Sequence, residues 1–241
     1  MLLQLVIFYF LMCIMYLISL VYNVMHIKTV TADGSLHSFL TYGGFGGKLK
    51  YLTFWNLVLQ TFYFGLCTVN AVFGSNVDVC GNPRTRSKLQ KWKDYLHTTL
   101  VFPVGAFVVG MFWSIYVVDR ELVYPRKLDA IIPQWLNHVM HTTVLPILLV
   151  EKMLTYHHLP RRRSAISGLV LFCGIYFAWI MWVAYYADLW VYGILRVMEV
   201  YQRAIFILFC LMFFISIYLV GEALTKFIWR NQKKYSTSKL S

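Results

Sequence analysis

Six apolar stretches organise this chain of 241 residues, at about Leu2 to Met25, Tyr51 to Phe73, His97 to Val118, Ile131 to Glu151, Ala165 to Tyr186 and Ala204 to Trp229. A helix needs about 20 apolar residues to cross a bilayer, and each stretch is near that length. Within lipid every backbone N–H and C=O must find a partner in the protein, which helices provide locally. The predicted fold is therefore all-α, a polytopic membrane bundle of six transmembrane helices over residues 1–229 followed by a polar cytosolic tail, 230–241. Composition agrees: 13% of residues are charged, against about 25% in soluble domains. The first stretch lacks a basic leader and a small-residue cleavage pattern, so it reads as a retained helix.

The formal charge of +12 raises nucleic acid as a partner. The basic residues rule it out by position, because they sit in the connectors between apolar stretches, as the charge bias of membrane proteins requires. An even number of spans places both termini on one side. Of the 22 Lys and Arg, fourteen then fall on that side and eight on the other, so both termini are expected in the cytosol, in the endoplasmic reticulum or plasma membrane. Cys13, Cys67, Cys173 and Cys210 lie in apolar stretches and Cys80 stands alone in a connector. They form no disulfide framework or paired-cysteine zinc motif.

Polar residues at membrane depth are costly and usually serve a site or a pathway. The fourth stretch carries a group of them: at 100° per residue Gln134, Asn137, His138 and His141 share one helical face. The plain alternative is an interhelical hydrogen-bond cluster that only fixes packing. A second stripe opens the second stretch, where Thr53, Asn56 and Gln60 share a face. Threonine in a membrane helix commonly bonds its own backbone, and only a base within reach makes it a nucleophile. Pro103 and Pro146 each remove a helical hydrogen bond, and a kink at Pro146 is expected to shape the space beyond His141. Glu151, and Glu222 with Lys226 four residues on, read as structural. His157 and His158, beside Arg161 to Arg163, read as a basic cytosol-facing loop.

Several strings together resemble the androgen-induced protein family: Tyr42-Gly43-Gly44, Lys50-Tyr51-Leu52-Thr53-Phe54, Phe102-Pro103-Val104-Gly105, Asp119-Arg120-Glu121, Tyr124-Pro125, and Asn137-His138-Val139-Met140-His141-Thr142-Thr143-Val144-Leu145-Pro146. The resemblance keeps their order and spacing over most of the chain. It implies six membrane helices and hydrolysis of fatty acid esters of hydroxy fatty acids by a Thr/His pair, with the nucleophile on Thr53 and the catalytic histidine on His141. It also implies glycine where Val139 stands, and the added bulk is expected to narrow the substrate range.

A threonine esterase needs a base for the hydroxyl proton and donors for the oxyanion. His138, Asn137, Asn56 and Gln60 are all candidates to orient the imidazole or to donate. No cofactor or metal is expected, because the His138/His141 pair lacks a third ligand. The expected partners are membrane lipids and a lipid ester with two long chains, entering laterally from the bilayer. Thr53 lies about two residues into its segment and His141 about ten into its own, a mismatch of roughly 12 Å along the membrane normal. The glycine-rich connector before Thr53 is expected to dip into the bundle and close that gap. The rival readings are a transporter, a metal or haem binder using His138 and His141, and a regulatory scaffold.

Overall fold

The computed structural model describes residues 2–27, 29–30, 36–37, 46–188 and 190–232. Five helical rods among them are long and apolar enough to cross a bilayer. These are α1 (Leu2–His26), α2 (Leu52–Phe73), a composite rod over Lys88–Leu122, α7 (Arg162–Ala187) and α9 (Val200–Ile228). The composite rod joins α3 (Lys88–Leu96) to α4 (Phe102–Asp119) through a π-helical turn at His97–Val101, where the Phe102 N–H donates to the His97 carbonyl. Pro103 follows directly and has no N–H to give. The wider turn changes the hydrogen-bond register just before it.

The fourth apolar segment is not one helix. It is α5 (Gln134–His141) followed by α6 (Val144–Leu154), of 8 and 11 residues, so five rods and one broken segment correspond to the six expected helices. The kink expected from Pro146 is a full break. Thr142 leaves helical geometry at φ −124°, and the amides of both Thr142 and Thr143 turn back to the His138 carbonyl at 2.8 and 2.9 Å. A short helix α8 (Gly193–Val197) and several 3₁₀ turns complete the described chain, with a two-residue antiparallel pairing of Thr29–Val30 and Leu36–His37.

Burial follows the membrane pattern. On α1 only Tyr9, Tyr16, Ser19 and Asn23 are buried, a stripe that packs on α2, with Tyr16 stacked on Phe64 at 5.5 Å. The opposite face exposes Leu3, Phe10, Leu11 and Ile18, and α9 likewise exposes Ile205, Leu208 and Phe209. Such apolar surface suits contact with lipid, and a water-soluble monomer would not leave so much of it open. Packing between α4 and α6 is close: a methyl on Gly105 would come within 2.8 Å of the Leu148 and Val144 side chains.

Contacts sort the connectors to two ends of the bundle. At one end Tyr9 of α1 meets Thr155 at 2.6 Å, Cys80 meets the Gln232 carbonyl, and Trp229 donates to the Lys152 carbonyl. Glu222 is held there by Arg162 at 2.8 and 2.9 Å and by Lys226, so its structural reading stands. At the other end the Lys48 ammonium donates to the Asn23 carbonyl, and Trp179 and Tyr176 donate to the Leu49 and Lys50 carbonyls. The start of α1 and the end of α9 thus meet the same connectors. In the tail, Arg230 to Gln232 are helical, and the rest of it lies outside the described residues.

Candidate active site

Thr53 is the second residue of α2, and its position is fixed by what precedes it. Gly46 and Gly47 adopt left-handed φ of 89° and 52°, which glycine takes at little cost. They lead into a 3₁₀ turn, Gly47–Lys50, in which Gly47, Lys48 and Lys50 are buried. A side chain on Gly46 would press on Trp179 and Val183 of α7 at 3.1 and 3.2 Å. The described end of the connector therefore lies inside the bundle, while Tyr42-Gly43-Gly44 falls outside the described residues. Tyr51 is extended and starts α2 without a side-chain cap.

A chain of phenols supports that start. The Leu52 N–H donates to the Tyr192 hydroxyl at 3.0 Å, the two hydroxyls of Tyr192 and Tyr176 lie 2.8 Å apart, and Tyr176 donates to the Lys50 carbonyl at 2.9 Å. Because Tyr176 spends its proton on a carbonyl, the Tyr192 proton runs to Tyr176 and its lone pair faces Leu52. Burial pushes the Tyr192 phenol above its ordinary range, so it stays protonated in this relay.

His141 ends α5. Its Nε2 lies 3.2 Å from Thr53 Oγ1, a pairing of residues whose positions along their apolar segments suggest different depths. Its Nδ1 lies 2.7 Å from Asn137 Oδ1 and 3.1 Å from the Asn137 backbone carbonyl. Both are acceptors, so Nδ1 carries the proton and Nε2 presents its lone pair to the threonine. The imidazole is stacked on Phe112 at 3.8 Å and 17°, and its own carbonyl accepts the Trp113 indole N–H at 2.8 Å. Ring plane, tautomer and backbone are all held. With His141 only 6% exposed, bulk water has little access to the imidazole, while Thr53 is half-buried.

The remaining polar candidates are placed differently. His138 is exposed, its Nδ1 3.0 Å from Thr142 Oγ1, and Gln134 is also exposed. Asn56 and Gln60 are buried one and two turns further along α2. Gln60 Nε2 donates to Asn56 Oδ1 at 3.0 Å and more weakly to the Val101 carbonyl at 3.4 Å, and among the described residues neither side chain hydrogen-bonds Thr53 or His141. Val139 packs against the α1–α2 core and does not line the cavity described next, so its bulk bears on packing there. Phe112, Trp113, Tyr176 and Tyr192 gave no sequence signal, being aromatic residues in apolar runs or connectors.

Thr53 opens onto a cavity of about 280 Å³. Leu52, Phe107, Phe112, Cys173, Phe177 and Phe214 are among its lining residues, so the walls from α2, α4, α7 and α9 are almost wholly apolar, with Phe107 stacked on Phe214 at 3.7 Å. Thr53, Tyr176 and Tyr192 are the lining residues that carry hydroxyls. His141 is not part of the lining and sits behind Phe112. The arrangement presents a hydroxyl, backed by a base, to a space suited to an alkyl chain.

Comparison with known proteins places the chain in a family. Over 198 residues the chain is 39% identical to the androgen-induced gene 1 protein of Homo sapiens, covering 81% of this chain and 83% of that one. It is 34% identical over 194 residues to the androgen-dependent TFPI-regulating protein of Homo sapiens, covering 78% and 80%. Against the protein of that name from Mesocricetus auratus it is 36% identical over 184 residues, covering 76% and 78%. No solved structure matches it. The profile of the FAR-17a/AIG1-like proteins matches residues 5–226, and this chain belongs to that family.

Proposed function

We propose that this protein is an intramembrane lipid-ester hydrolase acting on fatty acid esters of hydroxy fatty acids, with Thr53 as nucleophile and His141 as base. The observation that carries the reading is the 3.2 Å approach of His141 Nε2 to Thr53 Oγ1 at the wall of an apolar cavity. A nucleophile and base within hydrogen-bond reach, with the base oriented by a third group, is the signature of covalent catalysis. Here the third group is Asn137, neutral where many triads have a carboxylate. It fixes the tautomer and supplies no negative charge to the imidazolium.

In the reaction, Thr53 Oγ attacks the ester carbonyl carbon as its proton passes to His141 Nε2. The tetrahedral oxyanion forms beside the first turn of α2, where the leading N–H groups have no carbonyl a turn back to bond and the Phe54 N–H already bonds the Tyr51 carbonyl at 3.0 Å. The Leu52 N–H is already taken by Tyr192, which leaves the Thr53 N–H as the nearest donor of that turn. Collapse breaks the bond to the alcohol oxygen, which takes the proton from His141 and leaves as the hydroxy fatty acid. Water then gives a proton to the same nitrogen and attacks the acyl-threonine, releasing the fatty acid and restoring Thr53. The cavity holds one alkyl chain against Phe107 and Phe214 while the other extends toward lipid.

A panel of lipid esters offered to the purified protein in detergent or bilayers tests the reading. Branched esters of two long chains are expected to be cleaved well above short-chain or water-soluble esters, because only the former fill the apolar walls. Equal cleavage of all esters, or of none, contradicts it.

A further inference from the structure

A second buried cluster lies apart from the proposed catalytic pair. His97 of the π turn, Glu151 near the end of α6 and His157 of the following connector are each fully buried. One ligand atom from each comes within 4.8 Å of the other two. His157 Nε2 is 2.9 Å from both oxygens of Glu151, and His97 Nε2 is 3.1 Å from one of them. The two imidazoles stack face to face at 3.9 Å and 11°. Behind them, His157 Nδ1 lies 3.2 Å from Asp94, which Arg86 holds at 3.0 Å, while Tyr9 and Tyr63 donate to Glu151 at 3.1 and 3.0 Å.

Hydrogen bonding alone does not account for this cluster. A protonated His157 bridging Asp94 and Glu151 would satisfy those three groups. Two imidazolium rings stacked so closely would repel, so His97 would then be neutral. Its Nε2 approaches Glu151 without hydrogen-bond alignment, and among the described residues neither of its ring nitrogens has a hydrogen-bond partner. An unpartnered polar group at full burial costs about 1–3 kcal/mol. Lone pairs of parallel stacked rings do not converge on one ion, so His97, which no hydrogen bond holds among the described residues, turns out of the stack on binding. A cation then shared by the two Nε2 lone pairs and the carboxylate removes that cost at His97 Nε2. Two histidines and one glutamate form an established zinc ligand set, with metal–ligand distances near 2.0–2.2 Å that place ligand atoms about 3.3 Å apart. The Asp94–His157 contact is the outer carboxylate that commonly orients such a ligand and fixes its metal-binding nitrogen.

We propose that His97, Glu151 and His157 bind a zinc-type divalent ion. The ion fastens the end of α6 and its connector to the junction of α3 and α4, with α1 and α2 joined through Tyr9 and Tyr63. The three protein ligands leave a fourth position to water, and their full burial away from the cavity suits an ion that holds the helices together. Glu151 follows His141 by ten residues, a separation of about 15 Å at helical rise, so the ion takes no part in the Thr53 chemistry. It is also distinct from the His138/His141 pair, beside which no third ligand lies among the described residues.

Metal analysis of the full chain, purified without chelator or polyhistidine tag and dialysed against zinc-buffered solution, tests the site. About one zinc per chain is expected, falling at least tenfold in His157→Ala and Glu151→Gln but unchanged in His141→Ala. Because the first two variants are liable to misfold, cobalt is also exchanged into the unaltered protein. Visible absorption of a low-symmetry, four-coordinate site is expected, at one ion per chain and displaced by one equivalent of zinc. Less than about a tenth of an ion per chain with no such absorption overturns the proposal, and so does full zinc occupancy in a folded His157→Ala.

Discussion

Thr53→Ala is expected to lower lipid-ester hydrolysis to near background, and His141→Ala to lower it by about 10²–10⁴-fold, the usual contribution of a positioned general base. The reason is local. Thr53 Oγ1 is the hydroxyl placed both on the cavity wall and 3.2 Å from the imidazole, so nothing nearby replaces it. Thr53→Ser keeps the oxygen and should retain measurable turnover. The double variant should be little worse than the more damaging single one, since members of a catalytic unit are strongly non-additive. Asn137→Ala should lower kcat more than it raises KM, by removing the shorter of the two contacts that hold the Nδ1 proton and leaving only the backbone carbonyl. His138→Ala should stay within a few-fold of the parent, because His138 faces outward. Ester-hydrolysis kinetics on variants of matched folding check all of these, and a folded Thr53→Ala of parental activity reduces Thr53 to a packing residue.

The second large effect is on stability. Glu151→Ala is expected to destabilise the bundle by about 3–5 kcal/mol, the range found when one partner of a buried ionic network is removed. Glu151 is fully buried and accepts from Tyr9 and Tyr63 while meeting His97 and His157. Its loss leaves groups from α1, α2, the π turn and the α6 connector short of a shared acceptor. Thermal unfolding in detergent should show a clear fall in midpoint for Glu151→Ala. Val150→Ala, a change at an exposed neighbour on the same helix, should show little. Equal midpoints would mean that the cluster does not hold the bundle together.

The apolar segments were legible in the sequence because length and hydropathy decide what a bilayer accepts. Thr53 and His141 were legible as polar residues in such segments, and the family resemblance singled them out from their neighbours. Periodicity did not distinguish His141 from His138. On an unbroken helix both share a face with Asn137, but α5 turns His141 into the bundle and leaves His138 outside. The hydrogen bond to Asn137, four residues earlier, follows from the same geometry once His141 is known to face inward.

What stayed hidden depends on how segments meet. Phe112 and Trp113 fix the ring and carbonyl of His141, yet in an apolar run they look like any lipid-facing aromatics. His157 beside three arginines reads as solvated. It is fully buried because the connector after α6 folds back against Asp94 and Glu151, a return path that no local pattern announces. Glu151 was read as structural near a helix end, and its environment now assigns it four partners. The break between α5 and α6 was announced by Pro146 only as a kink. Its extent depends on Thr142 and Thr143 sharing the His138 carbonyl.

The central claim is that Thr53 is an activated nucleophile, and adduct mapping tests it most directly. The purified protein is treated with a fluorophosphonate, which captures an activated hydroxyl, then digested and analysed by mass spectrometry. The account predicts a single phosphonyl adduct on Thr53, lost in His141→Ala and competed by a branched lipid ester. An adduct on another hydroxyl such as Thr142, or labelling that persists undiminished in folded Thr53→Ala, would contradict it.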